Sequence, residues 1–428
     1  MPQYPTRFAV APSGFKESLS APDAARAIAA GIHRVVPGAE VDLIPLVDGG
    51  EGTAEALAEA AGGRLLARTA TGPVGALVPT RFALLPDRTA VVEMAAVAGL
   101  SLVPRTARDP GRTTTRGVGE LITAALDTGA ARVLVGCGDS GTSDGGAGAL
   151  QALGARLLDA DGQELGPGGV ELARLARIDT AGLDPRLART PVKVACNPYN
   201  VLCGERGVAR VFGPQKGASP ERVEELAAGL ERWAAVLARD VAPGRCRLAD
   251  LRLDAGTGAS GGLGAGLAAL GADLLPRFEV LLDRLDLDAR LARADLVVTA
   301  EGALDGQTPR GKVPAEVARR AKLSGRPVLA LAGTLGEGHR EVRGVGVDAY
   351  SGILPGPVGL AEALGRGAEF LTDATERALR IVLLGAGLGG RAAAPVAAPP
   401  GSPGGPSPLR RPGPSARRRC GSRGGRRW

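Results

Sequence analysis

The sequence predicts an α/β protein built on parallel sheets, and three observations carry that prediction. Short apolar runs alternate with segments of amphipathic helical spacing, the pattern of a parallel sheet covered by helices. The runs end in clusters of Gly, Asp, Ser and Thr, and in such sheets ligands lie beyond the carboxyl ends of the strands. At 428 residues the chain is long enough for two or three domains, each with its own core.

Residues 8–12 form the first apolar strand. Ser20 starts the first helix, with Asp23 three positions on as a weak capping box and 24–36 as its body. A second strand over 41–47 runs into Asp48-Gly-Gly-Glu-Gly52, and a helix over 53–61 follows. The strand 132–136 leads into the run from Gly138 to Gly146. Residues 295–299 precede the loop from Glu301 to Lys312, with a helix after it, and 327–332 form another buried strand. Residues 76–285 hold more strand-like and Gly-rich stretches, which assigns them to a second domain inserted between 1–75 and 286–388. From Gly389 onward the chain is mostly Gly, Pro, Ala, Ser and Arg, so 389–428 is expected to be a disordered tail.

Hydrophobic content of 44% with 23% charged residues is ordinary for a soluble globular protein. Aromatics are only 3%, so the core is built from small aliphatic side chains. No apolar run approaches the roughly 20 residues of a membrane span, and the N-terminus lacks a secretory pattern. Cys137, Cys196, Cys203, Cys246 and Cys420 show no metal-ligand spacing, and only His33 and His339 could add an imidazole. A reduced, cytoplasmic protein is expected. The net charge of +7 would suggest nucleic acid, but residues 389–428 hold nine arginines and neither acid nor lysine. The rest of the chain carries −2, so nucleic-acid binding would rest on the tail alone.

Gly306-x4-Gly311-Lys312 repeats the spacing of a phosphate-binding P-loop, but Val313 stands where Ser or Thr would hold magnesium. Glu301 and Asp305 offer carboxylates for a metal instead; a capping carboxylate and a surface lysine are the plain alternative. Between the first strand and helix, Lys16 and Ser18 sit near helix-start amides that favour an anion. A solvated lysine with Ser20 as a cap would look the same. Asp48 and Glu51 suit a general base or magnesium on a loop whose Gly49 and Gly50 permit close backbone approach. A turn-forming Asp-Gly pair is the alternative. Asp139, Ser140, Gly141 and Thr142, with Asp144 and further glycines, make a nest for an oxyanion or phosphate. Gln215 and Lys216 lie on a tight turn. Gly256-x-Gly258-x-x-Gly261 matches a dinucleotide fingerprint with Glu279 about 20 residues on. It is a lone match in a Gly- and Ala-saturated run, so close helix packing explains it and NAD is not expected.

Together, five segments resemble the glycerate kinase family of the bacterial type that includes the tartronate-pathway enzymes. They are residues 11–20, 47–53, 138–146, 212–218 and 301–314, in family order within about residues 7–385. The resemblance implies ATP-dependent phosphorylation of glycerate with Mg2+, with 2-phosphoglycerate favoured over 3-phosphoglycerate. It also implies two α/β domains, one flavodoxin-like and formed by both chain ends, the other inserted. The expected catalytic residues are Asp48, Asp305 and Lys16. Ser18, Gly49, Gly50, Asp139, Ser140, Gly141, Thr142, Lys216 and Lys312 are expected to bind substrate or phosphate, and Glu51 and Glu301 a metal. The chain departs from the family at Ser13-Gly14, where Asp-Ser is usual, and at Ala300 and Ala303, where Gly and Arg are common. Asn197-Pro-Tyr-Asn200 also looks altered, and the Arg-rich tail matches nothing in the family. A phosphatase or phosphotransferase acting on another small hydroxy acid would use the same loops and is the alternative. The partners expected are glycerate and ATP, with no nucleic acid and no membrane.

Overall fold

The computed structural model describes residues 4–15, 17–281 and 285–392, with side chains through residue 386. Along the chain lie β1 (Arg7–Val10), β2 (Glu40–Leu43), β3 (Arg64–Thr71), β4 (Leu77–Leu84) and β5 (Thr89–Glu93). Next come β6 (Arg132–Gly136), β7 (Arg156–Leu158), β8 (Arg177–Asp179), β9 (Val192–Cys196) and β10 (Asp273–Pro276). The last are β11 (Leu296–Leu304), β12 (Val328–Leu335) and β13 (Ala349–Gly352).

Two larger sheets organise them. The first, ordered β13-β12-β11-β1-β2, is parallel throughout. It is made from both ends of the chain. Numbered in chain order, its strands run 2-1-3-4-5, the flavodoxin-like order, with its switch point between β1 and β11. The second, β10-β9-β6-β5-β4-β3, is parallel from β10 to β5 and antiparallel beyond. This is the α/β class expected from the sequence.

The first helix, Ala21–Val35, begins as its capping residues predict: Ser20 Oγ accepts from Asp23 N at 3.2 Å and donates to Asp23 Oδ2 at 2.5 Å. Its apolar face packs Ile28 and Ile32 with Phe370 and Leu371 of the helix Gly367–Ala392 over one face of the first sheet. Val313, Val317 and Ala321 cover the other face. In the second unit Trp233, fully buried on the helix Pro220–Asp240, donates Nε1 to Gly145 O at 2.8 Å. That bond anchors the Gly-rich run after β6 to the core.

Four expectations need correction. β11 continues through Leu304, so Glu301 stands on a strand and not in a loop; Ala303 and Leu304 still pair with Thr334 and Leu335 of β12. β2 ends at Leu43 because Pro45 interrupts the regular strand, although Ile44 N and Leu46 N still bond Val10 O and Pro12 O. The second sheet starts at Arg64, ahead of the expected division at 75, since β3 pairs with β4 along its whole length. The helix Gly367–Ala392 runs into the expected tail, and the remainder of that tail lies outside the described residues.

Trp233→Ala is expected to lower the unfolding free energy by about 3–5 kcal/mol, read from urea denaturation. A loss under about 1 kcal/mol would mean that Trp233 does not anchor the loop as described.

Candidate active site

The chain leaving β2 reaches Asp48 and crosses onto the end of β6, and there the two sheets meet backbone on backbone. A Cβ on Gly136 would sit 2.7 Å from Gly49 O, and one on Gly138 would sit 2.6 Å from Gly50 N. One on Gly50 would run into Asp139 Oδ2. Gly49 also takes a φ of 90°, in the region that favours glycine. The turn is set by Asp48 Oδ1, which accepts from Gly50 N at 3.2 Å, and by Thr53 Oγ1, which donates to Gly50 O at 2.8 Å. The close backbone approach expected of Gly49 and Gly50 is made here to the end of β6.

Glu301 lies on β11, next to the switch point of the first sheet. Its Oε2 is buried and has no hydrogen-bond partner in the protein. Burial pushes its carboxyl up to about 7; Lys312 pulls it down, Asp48 and Asp305 push it up, and Arg277 pulls it down. Those four charged groups therefore share one neighbourhood with Glu301. Glu51 is not among the charges that act most strongly on it; Glu51 is exposed and acts on Glu93 instead.

Beyond Leu304 the chain turns on Asp305. Its Oδ1 accepts from Gln307 N at 2.9 Å and its N donates to Thr308 Oγ1 at 3.0 Å. Lys312 Nζ reaches back to Asp305 Oδ2 at 3.0 Å and Ala303 O at 3.1 Å, so the lysine of the near P-loop is ion-paired within its own loop.

The run after β6 is organised from below. Lys216, almost fully buried, donates to Ser140 Oγ at 2.8 Å and Thr142 O at 2.6 Å. Thr113 Oγ1 donates to Gly141 O at 2.9 Å. Asp144 is buried beneath, accepting from Thr115 N and Thr115 Oγ1 at 2.8 Å and from Gly146 N at 3.1 Å. Burial raises its pKa, while those bonds oppose the rise. Asp139 takes a left-handed φ of 51° at the contact with Gly50. Thus Asp48, Gly49, Gly50 and Asp139 come together, as do Glu301, Asp305 and Lys312. Ser140, Gly141, Thr142 and Lys216 form the adjoining wall. Ser18 is engaged elsewhere, donating to Leu364 O at 2.7 Å. Lys16 lies outside the described residues.

Two residues escaped the motif reading. Glu93, at the end of β5, is buried and accepts from Gly52 N at 3.3 Å and from Ala54 N, capping a helix whose own cap residue is a glycine. Burial pushes its carboxyl up to about 7. Arg277, just past β10, donates Nη1 to Asp48 O and Asp48 Oδ2, both at 3.0 Å, and Nη2 to Gly311 O. Both stand at carboxyl ends of strands, the one signal that would have found them. A cavity of about 470 Å³ lies away from this cluster, at the amino ends of β9 and β10, lined by Arg189, Arg245 and Asp273 among others. None of the residues singled out from the sequence lines that cavity.

The fold and this cluster define an α/β protein whose strand ends carry carboxylates, cations and a hydroxyl-rich run where its two sheets meet. The chain belongs to the glycerate kinase family, whose pattern matches residues 8–383. It is 45% identical over 364 residues to glycerate kinase of Bacillus subtilis (strain 168), covering 85% of this chain and 94% of that protein. Identity to the glycerate 2-kinase of Escherichia coli (strain K12) is 43% over 364 residues, with the same 85% and 94% coverage. A crystal structure assigned as glycerate kinase 2 of Salmonella typhimurium LT2 is 44% identical. It superposes with a TM-score of 0.69, covering 89% of this chain and 99% of that one.

Glu301 and Glu93 are held above their ordinary value of 4.5. The folded protein thus keeps their protons at pH values where the unfolded chain has lost them. Their stabilising contribution is full below about 4.5 and is lost as pH rises through about 7. Urea midpoints should therefore fall between pH 5.5 and 8.5, and Glu301→Gln should make that fall smaller. An equal fall in the variant would rule out the buried carboxyl as a source.

Proposed function

We propose that this protein transfers the γ-phosphoryl group of ATP to a hydroxyl of glycerate, giving 2-phosphoglycerate. The observation that carries the reading is the gathering of Asp48, Glu301, Asp305 and Lys312 at a flavodoxin-like switch point in a member of the glycerate kinase family. The likeness to a protein named glycerate 2-kinase favours the 2-product.

Asp48 accepts the hydroxyl proton as the glycerate oxygen attacks the γ-phosphorus and the bond to ADP breaks. Its Oδ1 accepts from Gly50 N and its Oδ2 from Arg277, but its side chain is 37% exposed where the two sheets touch, so a substrate hydroxyl has access to it. Asp305 has one oxygen committed to its own turn and the other to Lys312. Its part is to hold the ammonium beside the phosphate as charge shifts toward the leaving group. Positioning and charge compensation supply most of the rate in such transfers. Lys216 holds Ser140 and Thr142 in place, which keeps the nest shaped for an anionic group of either substrate.

A magnesium ion fits this site in one specific way. Among the described residues no group of three His, Cys, Asp or Glu is arranged to hold a metal by itself. Mg2+ is usually bound by one or two carboxylates together with substrate phosphates, and Glu301 offers a buried oxygen without a partner. Glu301 is the residue that would hold it. When bound, the ion supplies positive charge to the phosphate oxygens. Cytoplasmic residence agrees with this chemistry, and among the described residues no helix is long and apolar enough to cross a membrane.

Incubation with ATP, Mg2+ and D-glycerate, followed by phosphorus NMR, is expected to show ADP and 2-phosphoglycerate. Asp48→Asn should lower kcat by about 10²–10⁴-fold in a protein that still folds. Absence of a phosphoglycerate signal would refute the kinase reading, and near-normal turnover in Asp48→Asn would refute the base.

A further inference from the structure

Arg277 belongs to the second sheet by its backbone and to the first by its contacts. It opens the helix Arg277–Leu281 directly after β10, yet its guanidinium binds the loops that follow β2 and β11. Nη1 meets both the carbonyl and a carboxylate oxygen of Asp48 at 3.0 Å, which fixes the rotation of that carboxylate against its own backbone. Nη2 takes the carbonyl of Gly311, the turn that leads into Lys312. The side chain is only 11% exposed, and the Phe278 ring lies 4.9 Å from the guanidinium carbon. Nε is buried without a partner in the protein, so the two Nη groups carry the contacts that hold the side chain in this pose. A second tie runs in parallel: Asn197, one residue past β9, donates Nδ2 to Arg310 O at 3.2 Å. The carboxyl ends of β9 and β10 therefore clasp the same turn. Lysine, a point donor on a flexible stem, cannot copy this fork.

We propose that Arg277 is a positioning residue for phosphoryl transfer, locking Asp48 and the Gly311 turn into one rigid unit across the two sheets. The proposal rests on the reading of Asp48 as the base. The nest that Lys216 shapes stays in place without Arg277, while the base and the turn that carries Lys312 lose their fixed relation. A misplacement near 1 Å costs about 10²-fold in rate. The loss should appear in kcat and not in KM.

The test uses Arg277→Lys and Arg277→Gln in the full chain, with two readouts. Kinetics should show kcat lowered about 10²-fold and both KM values within about threefold of the parent, at a melting temperature close to the parent's. Hydrogen exchange, followed by mass spectrometry without substrates, should quicken together in peptides covering 48–52 and 305–312. Parental kcat, a loss carried wholly by KM, faster exchange only around 277–281, or failure of both variants to fold would each overturn the proposal. If the parent itself lacks kinase activity, the functional reading falls, and the exchange readout still decides whether Arg277 couples the two loops.

Discussion

The arrangement depends on one contact: the backbone of Gly49 and Gly50 lying against the backbone of Gly136 and Gly138. No side chain fits between these segments, so the loop after β2 in the first sheet settles directly on the end of β6 in the second. That places Asp48 beside Asp139 and within reach of Arg277. The ties from Arg277 to Gly311 and from Asn197 to Arg310 join the same two sheets beside this glycine contact.

Around the contact, the protein tolerates buried carboxyls that a purely structural core would avoid. Burying a charge without a partner is costly, and such a group takes up a proton instead. Glu93 offsets its burial by accepting the amides of Gly52 and Ala54, which helps fix the helix that follows Asp48. Glu301 has no such compensation at Oε2, the oxygen to which the proposed function gives a magnesium ion.

Much of this was legible in the chain. Residues 53–61 and 132–136 read as helix and strand from pattern alone, and both stand with those bounds. Ser20 capped its helix as its sequence context implies. The glycine-rich strand ends at Asp48 and Gly138 pointed to one cleft. Other features were hidden for physical reasons. The extension of β11 through Glu301 depends on pairing with β12, a partner more than twenty positions away that no local signal reports. Arg277 carries no motif, and its importance comes from reaching loops distant in sequence. The spacing of Gly306 to Lys312 suggested a phosphate cradle, but Thr308–Arg310 forms a short 3-10 turn and Lys312 folds back onto Asp305.

The most direct measurement is the turnover of Gly138→Ala. Gly138 does not need a left-handed φ, so alanine suits its backbone, and the only obstacle is the Cβ that would lie 2.6 Å from Gly50 N. Forcing the two segments apart should lower kcat by about 10²-fold or more while the protein remains folded. Turnover equal to the parent's would contradict the claim that this backbone contact sets the active geometry.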